Sequence, residues 1–264
     1  MTALVNVIVM IGMLLVVPLG LRLIDLPGVY RHMWLAGAVA GAISLWLPRG
    51  GAAVALATPY ALATLPLAAE GLRRMVRLTP VNAAVGTALG MPLVAGTALV
   101  AERGGAELFG FSLEILSLTV AHFHFAGFAA ALVAGLMCQA VRGRLAAVAA
   151  LSVPAGTLLV LAGYFTSEWV EFAGAVVLTA GMWLVGWLIW RDMRVDDRVV
   201  RTLLLVSAGV LVATMVLALS WALGEASGLP HLSLGWMAAT HGVGNAFGFG
   251  LCGMLGWRLL REAL

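Results

Sequence analysis

The run TLLLVSAGVLVATMVLALSWAL, residues 202–223, carries no charged side chain. About 20 apolar residues, at a rise of 1.5 Å each, cross the hydrocarbon core of a bilayer as a helix. This run is therefore predicted to span one. It belongs to a stretch over 199–223, and eight similar stretches precede or follow it: 3–23, 32–47, 52–67, 81–100, 113–141, 145–164, 168–190 and 232–259. The second and third are short, and a helical hairpin around Pro48, Arg49, Gly50 and Gly51 would lower the count to eight.

The composition agrees. The chain of 264 residues is 62% hydrophobic and 10% charged, with a mean hydropathy of +1.06. Soluble chains average about 45–50% apolar and about 25% charged residues. Too little polar surface remains for a soluble enzyme, too little charge for a disordered chain, and two cysteines cannot make a disulfide scaffold. A transmembrane β-barrel would alternate over segments of about ten residues, whereas these apolar runs are unbroken. The expected fold is all-α: a polytopic transmembrane helical bundle of about nine spans, forming a single domain over 1–264. MTALVNVIVMIGMLLVVPLG lacks a basic leader and reads as the first span rather than a cleavable signal.

All 15 basic residues are arginine. Arg22, Arg31, Arg73, Arg74, Arg77, Arg142, Arg144, Arg191, Arg194, Arg198, Arg201, Arg258 and Arg261 fall on one side of the nine-span layout, leaving Arg49 and Arg103 on the other. The positive-inside rule makes the crowded side cytoplasmic, with the N-terminus outside and the C-terminus inside. Arginines between apolar runs mark topology, so no nucleic-acid partner is expected. The localisation implied is the inner membrane of a high-GC bacterium. Trp46, Trp169, Trp221 and Trp236 fall near outer ends and Trp34, Trp187, Trp190 and Trp257 near inner ends, as in an aromatic belt. The 32 glycines suit close helix packing in lipid.

Ionisable groups inside a bilayer cost about 2.5–3.5 kcal/mol each on insertion scales, which makes them functional suspects. His122-Phe123-His124-Phe125 lies within the fifth span. Residues two apart on a helix sit about 200° apart, so at most one of these imidazoles faces a given site. In the ninth span Thr240, His241 and Asn245 occur together, with His241 and Asn245 one turn apart on one face. Both histidine motifs lie at similar depth in the outer half. At the outer start of the seventh span, Ser167 precedes Glu168 and Glu171, two acids on one face of a helix N-terminus. Acids there favour the helix dipole. Glu171 sits deeper and is the better working carboxylate. Glu102, Glu107, Glu114 and Glu225 are expected at the outer interface, Asn82 as interhelical glue, and Arg22 with Asp25 as an inner-interface pair. Cys138 and Cys252 are expected to be structural, and His32 and His231 to lie at interfaces.

The segments AHFHFAGF (121–128) and THGVGNAFGFG (240–250) resemble the paired histidine motifs of YndJ-like bacterial membrane proteins, in order and in placement on late helices. The resemblance covers mainly the region from Leu113 onward, and it implies a multi-pass membrane protein of a family often labelled as transporters. The H-x-H and T-H-x-x-x-N patterns are also similar to those on haem–copper oxidase helices, but the histidines are too few for two metals and a haem.

Three functions follow as expectations. The first is an integral-membrane enzyme using acid–base chemistry on a lipophilic isoprenoid-type substrate: a terpene or meroterpenoid cyclase with proton-initiated closure. Such chemistry needs an acid, a dry pocket, aromatic faces and a final base. Glu171 or His241 would donate, His122 or His124 would orient or accept, Asn245 would fix His241, and Glu168 would stand beside the acid. Phe125, Tyr164, Trp169, Trp221, Trp236 and Phe247 would line the substrate's path. The substrate would enter from the bilayer, and the pattern calls for no metal or other cofactor. The second is a proton-coupled exporter, and the third a histidine-ligated metal or haem redox protein.

Overall fold

The computed structural model describes residues 2–263, and among these every regular element is helical. Nine rods follow in order: α1 Thr2–Leu21, α2 Gly28–Ser44, α3 Gly51–Met75, α4 Pro80–Gly104, α5 Leu113–Ala140, α6 Arg144–Thr166, α7 Glu168–Asp192, α8 Arg198–Ser227 and α9 over residues 234–262. Seven are long and apolar enough to cross a membrane. The other two are α2, with 17 residues, and α9, whose outer half holds His241 and Asn245. α3 runs on past the expected 52–67, through Pro66 to Met75.

The boundaries follow local chemistry. Thr79, Ser112, Ser167, Asp197 and Ser233 cap the N-termini of α4, α5, α7, α8 and α9, each side-chain oxygen accepting from an orphan amide. Gly105 and Gly228 end α4 and α8 in the left-handed conformation that glycine adopts without strain. Ser167 alone separates α6 from α7, so these two form a tight antiparallel hairpin. Gly156, Gly163 and Gly174 let their backbones touch: a methyl at Gly163 would overlap the Glu171 backbone.

α5 is the most enclosed of those seven apolar rods, with 89% of its apolar stretch buried against 33% for α3 and α8. It packs on α1, α4, α6 and α9, with α2 and α3 beyond α1 and α4. Polar contacts fix the two ends. At one, Arg74 donates to the Asp25 carbonyl (2.6 Å) and Arg261 to the Arg22 carbonyl (3.5 Å). The ion pair expected between Arg22 and Asp25 does not form: Asp25 is exposed, and its backbone carbonyl, not its carboxylate, is what an arginine (Arg74) holds. At the other end Glu102 is buried, not solvated. It is clamped by Arg49 (2.8 Å) and Arg103, and Arg103 also donates to the carbonyls of Ser44, Leu45 and Leu47. A cation there satisfies the orphan carbonyls and dipole at the end of α2. Asn82 donates its side-chain amide to the Arg77 carbonyl (2.9 Å), tying the first turn of α4 to the connection from α3.

Three rods carry wide turns with i→i−5 hydrogen bonds: α1 at Gly12–Val16, α5 at Phe123–Ala129, and α9 at Ala238–Gly242 and Gly244–Leu251. In α1 the cause is Pro18. Val17 donates to Gly12, and the next bond of that pattern would need an N–H that proline lacks. The Met13 carbonyl is thereby freed, and the Trp34 indole donates to it at 2.8 Å. Trp34 is consequently buried against α1 and is not part of an inner aromatic belt. The wide turns of α1, α5 and α9 pack against one another at the centre of the bundle.

Candidate functional site

A cavity of about 220 Å³ lies between α1 and α5–α9. Its lining runs from Ile115 to Ala130 on α5 and from Leu234 to Phe249 on α9. At the helical rise that makes a slot roughly 20 Å long. Its walls are aliphatic and aromatic, with Val5 and Ile8 of α1, Leu178 and Met182 of α7 and Leu211 and Met215 of α8 among them. Six polar side chains interrupt the apolar surface: Thr119, His122, Tyr164, Glu171, His241 and Asn245.

His241 and Asn245 form a closed network with α8. The His241 Nδ1 lies 2.8 Å from the Thr214 carbonyl, which can only accept, so this nitrogen carries the hydrogen. The other ring nitrogen, Nε2, then accepts from the Asn245 amide at 3.0 Å. The Asn245 oxygen accepts in turn from the Thr214 hydroxyl at 2.9 Å. Both ring nitrogens are engaged and the imidazole is held neutral in one tautomer. Asn245 therefore does fix His241, and that leaves His241 without a free nitrogen for a substrate proton. Thr214 completes the network. A threonine within an apolar run commonly bonds its own helix, so nothing in the sequence marked it.

His122 lines the same cavity and has no hydrogen-bond partner among the described residues; the Phe123 ring stands edge-on to it, with centroids 5.5 Å apart. Tyr164 and Glu171 face the cavity likewise unpartnered. Glu171 is 9% exposed. Phe125 and Trp221 complete the aromatic wall beside Tyr164.

His124 is on the opposite side of α5 and does not reach the cavity. It is fully buried, its Nε2 2.7 Å from the Tyr60 hydroxyl, while the Trp34 ring stands edge-on to both. Gly12 makes room for it: a methyl there would lie 2.7 Å from the His124 Cβ. Tyr60, one of only three tyrosines in the chain, was the available signal for this second cluster. Glu168 is exposed beyond the mouth. Trp169, Trp236 and Phe247, expected to contact a substrate, point outward at 58%, 65% and 45% exposure. Trp169 precedes Glu171 by two positions and Phe247 follows Asn245 by two, which turns each about 200° from the cavity-facing residue. His231, expected to lie idle at an interface, meets Glu225 at 3.0 Å and the Trp221 ring edge-on. Among the described residues no three His, Cys, Asp or Glu side chains converge as a metal-binding group.

A family model described as YndJ-like protein matches residues 7–249, reaching well before Leu113, where the paired histidine motifs begin to carry the likeness. No curated protein and no solved structure matches the chain.

Proposed function

The chain belongs to the YndJ-like family, and we propose that it is an integral-membrane enzyme performing acid–base chemistry on a lipophilic, isoprenoid-type small molecule, cyclised by proton initiation. The observation that carries this reading is the slot itself. It is long, narrow and apolar, and it presents three unpartnered groups: a carboxyl, an imidazole and a phenol. An extended chain would lie along the slot with Glu171 near its outer mouth. The Glu171 hydroxyl adds its proton to an alkene carbon, or opens an oxirane, and leaves a carbocation. A second alkene closes on that cation and forms the ring bond. His122 then removes a proton from the neighbouring carbon, whose bonding pair becomes the new alkene. Returning that proton to the Glu171 carboxylate restores both groups, and the product has the mass of the substrate. Tyr164, Trp221 and Phe125 offer ring faces to the intermediate cations, and the dry walls protect them from water. His241, Asn245 and Thr214 are positioning residues that shape the wall.

The same reading takes all nine rods as spans in one domain of the bacterial inner membrane, with the arginine-rich end cytoplasmic, the N-terminus outside and the C-terminus inside. Substrate reaches the slot from the bilayer. The test is incubation of purified protein in nanodiscs with prenylated and epoxy-prenylated acceptors, followed by mass spectrometry for an isomer of unchanged mass. Turnover that disappears in Glu171→Gln supports the reading. No isomer across the panel, with proton-driven efflux of the same compounds from liposomes, moves the assignment to a proton-coupled exporter. Pro59, Pro92 and Pro154, inside α3, α4 and α6, favour that second reading. For a histidine-ligated metal, His241 has both ring nitrogens engaged, which leaves His122 as the histidine in the slot with free nitrogens.

A further inference from the structure

Three carboxylates are buried among the described residues: Glu70, Glu102 and Glu171, at 6%, 1% and 9% exposure. Glu70 is held by Arg73 and Arg74 at 2.6 and 2.9 Å, and Glu102 by Arg49 and Arg103. Among the described residues Glu171 has neither an ion-pair nor a hydrogen-bond partner, and no Lys or Arg lines its cavity. Of the imidazoles, His241 is committed to Thr214 and Asn245, and His122 forms no ion pair with the carboxylate. A buried charge is stable only when compensated, and this chain supplies two arginines to each of the others. A carboxyl without such a partner keeps its proton and gives it up when a cation arrives beside it.

We propose that the counter-charge for Glu171 comes from the occupant, and that the slot binds lipophilic monocations of the alkylammonium class. The charged head would sit at Glu171 against the Tyr164 and Trp221 rings, with the apolar tail running inward past His122 toward Phe249. Aromatic faces beside a carboxylate are the usual surroundings of a bound quaternary ammonium. This inference rests on the slot being the working site. It adds the sign of charge the site selects, because an ammonium occupies the place of the carbocation that remains once Glu171 has given up its proton.

The test uses the full-length protein in nanodiscs of uncharged lipid, with three ligands of matched size: hexyltrimethylammonium, its carbon isostere 2,2-dimethyloctane, and hexanesulfonate. Saturable rises in Tm report binding. The cation should bind about tenfold or more tightly than either counterpart, and Glu171→Gln should remove about that factor. Glu171→Asp should retain most of it, and Glu114→Gln, which alters an exposed acid on α5, should change nothing. Equal binding of the neutral isostere to the wild-type protein overturns the proposal, as does unchanged cation binding in Glu171→Gln. The wild-type ligand comparison stands even if the Gln variant fails to fold. Selective cation binding without any isomerised product would sink the cyclase reading and leave this inference intact. Turnover without cation preference would do the reverse.

Discussion

His241 and His122 lie on neighbouring walls of one slot, yet their surroundings assign them opposite work. A free imidazole exchanges its proton between two nitrogens, but the Thr214 carbonyl beside Nδ1 of His241 accepts and cannot donate. Nitrogen-15 NMR should therefore find His241 with its hydrogen on Nδ1, and a hydrogen on Nε2 would contradict the network. Asn245→Leu should leave the hydrogen on Nδ1, where the Thr214 carbonyl still accepts it, and should shift only the Nε2 resonance, which loses its donor. The stability lost with the Thr214–Asn245 bond between α8 and α9 should be modest, about 0.6 kcal/mol on the average of interhelical hydrogen bonds in membranes. These roles were partly legible in the chain. An ionisable group in an apolar run is conspicuous, so His122, Glu171 and His241 stood out, and the four-residue spacing put Asn245 beside His241. What could not be read was which histidine is free, because that depends on a carbonyl 27 positions away.

At the scale of elements, glycine sets distances that the polar groups depend on. Gly163 on α6 lies against the backbone of Glu171 on α7, so the hairpin is as tight where the carboxylate enters the slot as it is at Gly156 and Gly174. Gly163→Ala should push the helices apart and destabilise the fold by about 1–3 kcal/mol, as overpacking does. It should also weaken whatever binds at Glu171, whereas Gly209→Ala, which meets open space, should do neither. Unfolding in mixed micelles together with a binding isotherm separates the two effects. Gly12→Ala should be as costly on α1, since the new methyl meets the His124 ring. Helix positions were legible because hydropathy reports length. The wide turns were not: Pro18 is visible in the sequence, but the freed Met13 carbonyl matters only because Trp34 on α2 reaches it. Trp169, Trp236 and Phe247 show the complementary point. Their depth along a helix suited the slot, and their angular phase turned them away from it.

For the molecule as a whole, the working slot uses α1 and α5–α9. α2–α4 pack behind it, and α2 and α3 enclose the His124–Tyr60 pair. The arrangement depends on α2 crossing the bilayer, although its 17 residues reach only about 25 Å. Its flanks lie at opposite ends of the bundle. The Asp25 carbonyl is held by Arg74 before α2 begins, and the carbonyls of Leu45 and Leu47 are held by Arg103 after it ends. Its apolar run is short, and arginine alternation supplies the case for a crossing: without one, Arg31 and Arg73 would fall on opposite faces of the membrane. Single cysteines at Val29, Leu78, Ala106 and Leu229, in a background carrying Cys138→Ser and Cys252→Ser, turn this into a parity experiment. All four sites are exposed. An impermeant maleimide applied to intact spheroplasts should label positions 106 and 229, and should reach 29 and 78 only after lysis. The reverse pattern inverts the orientation and puts the slot's mouth at the cytoplasmic face. A split between 29 and 78 means that α2 does not cross, in which case the arginines of the preceding and following loops no longer share a face and the nine-span layout fails with them.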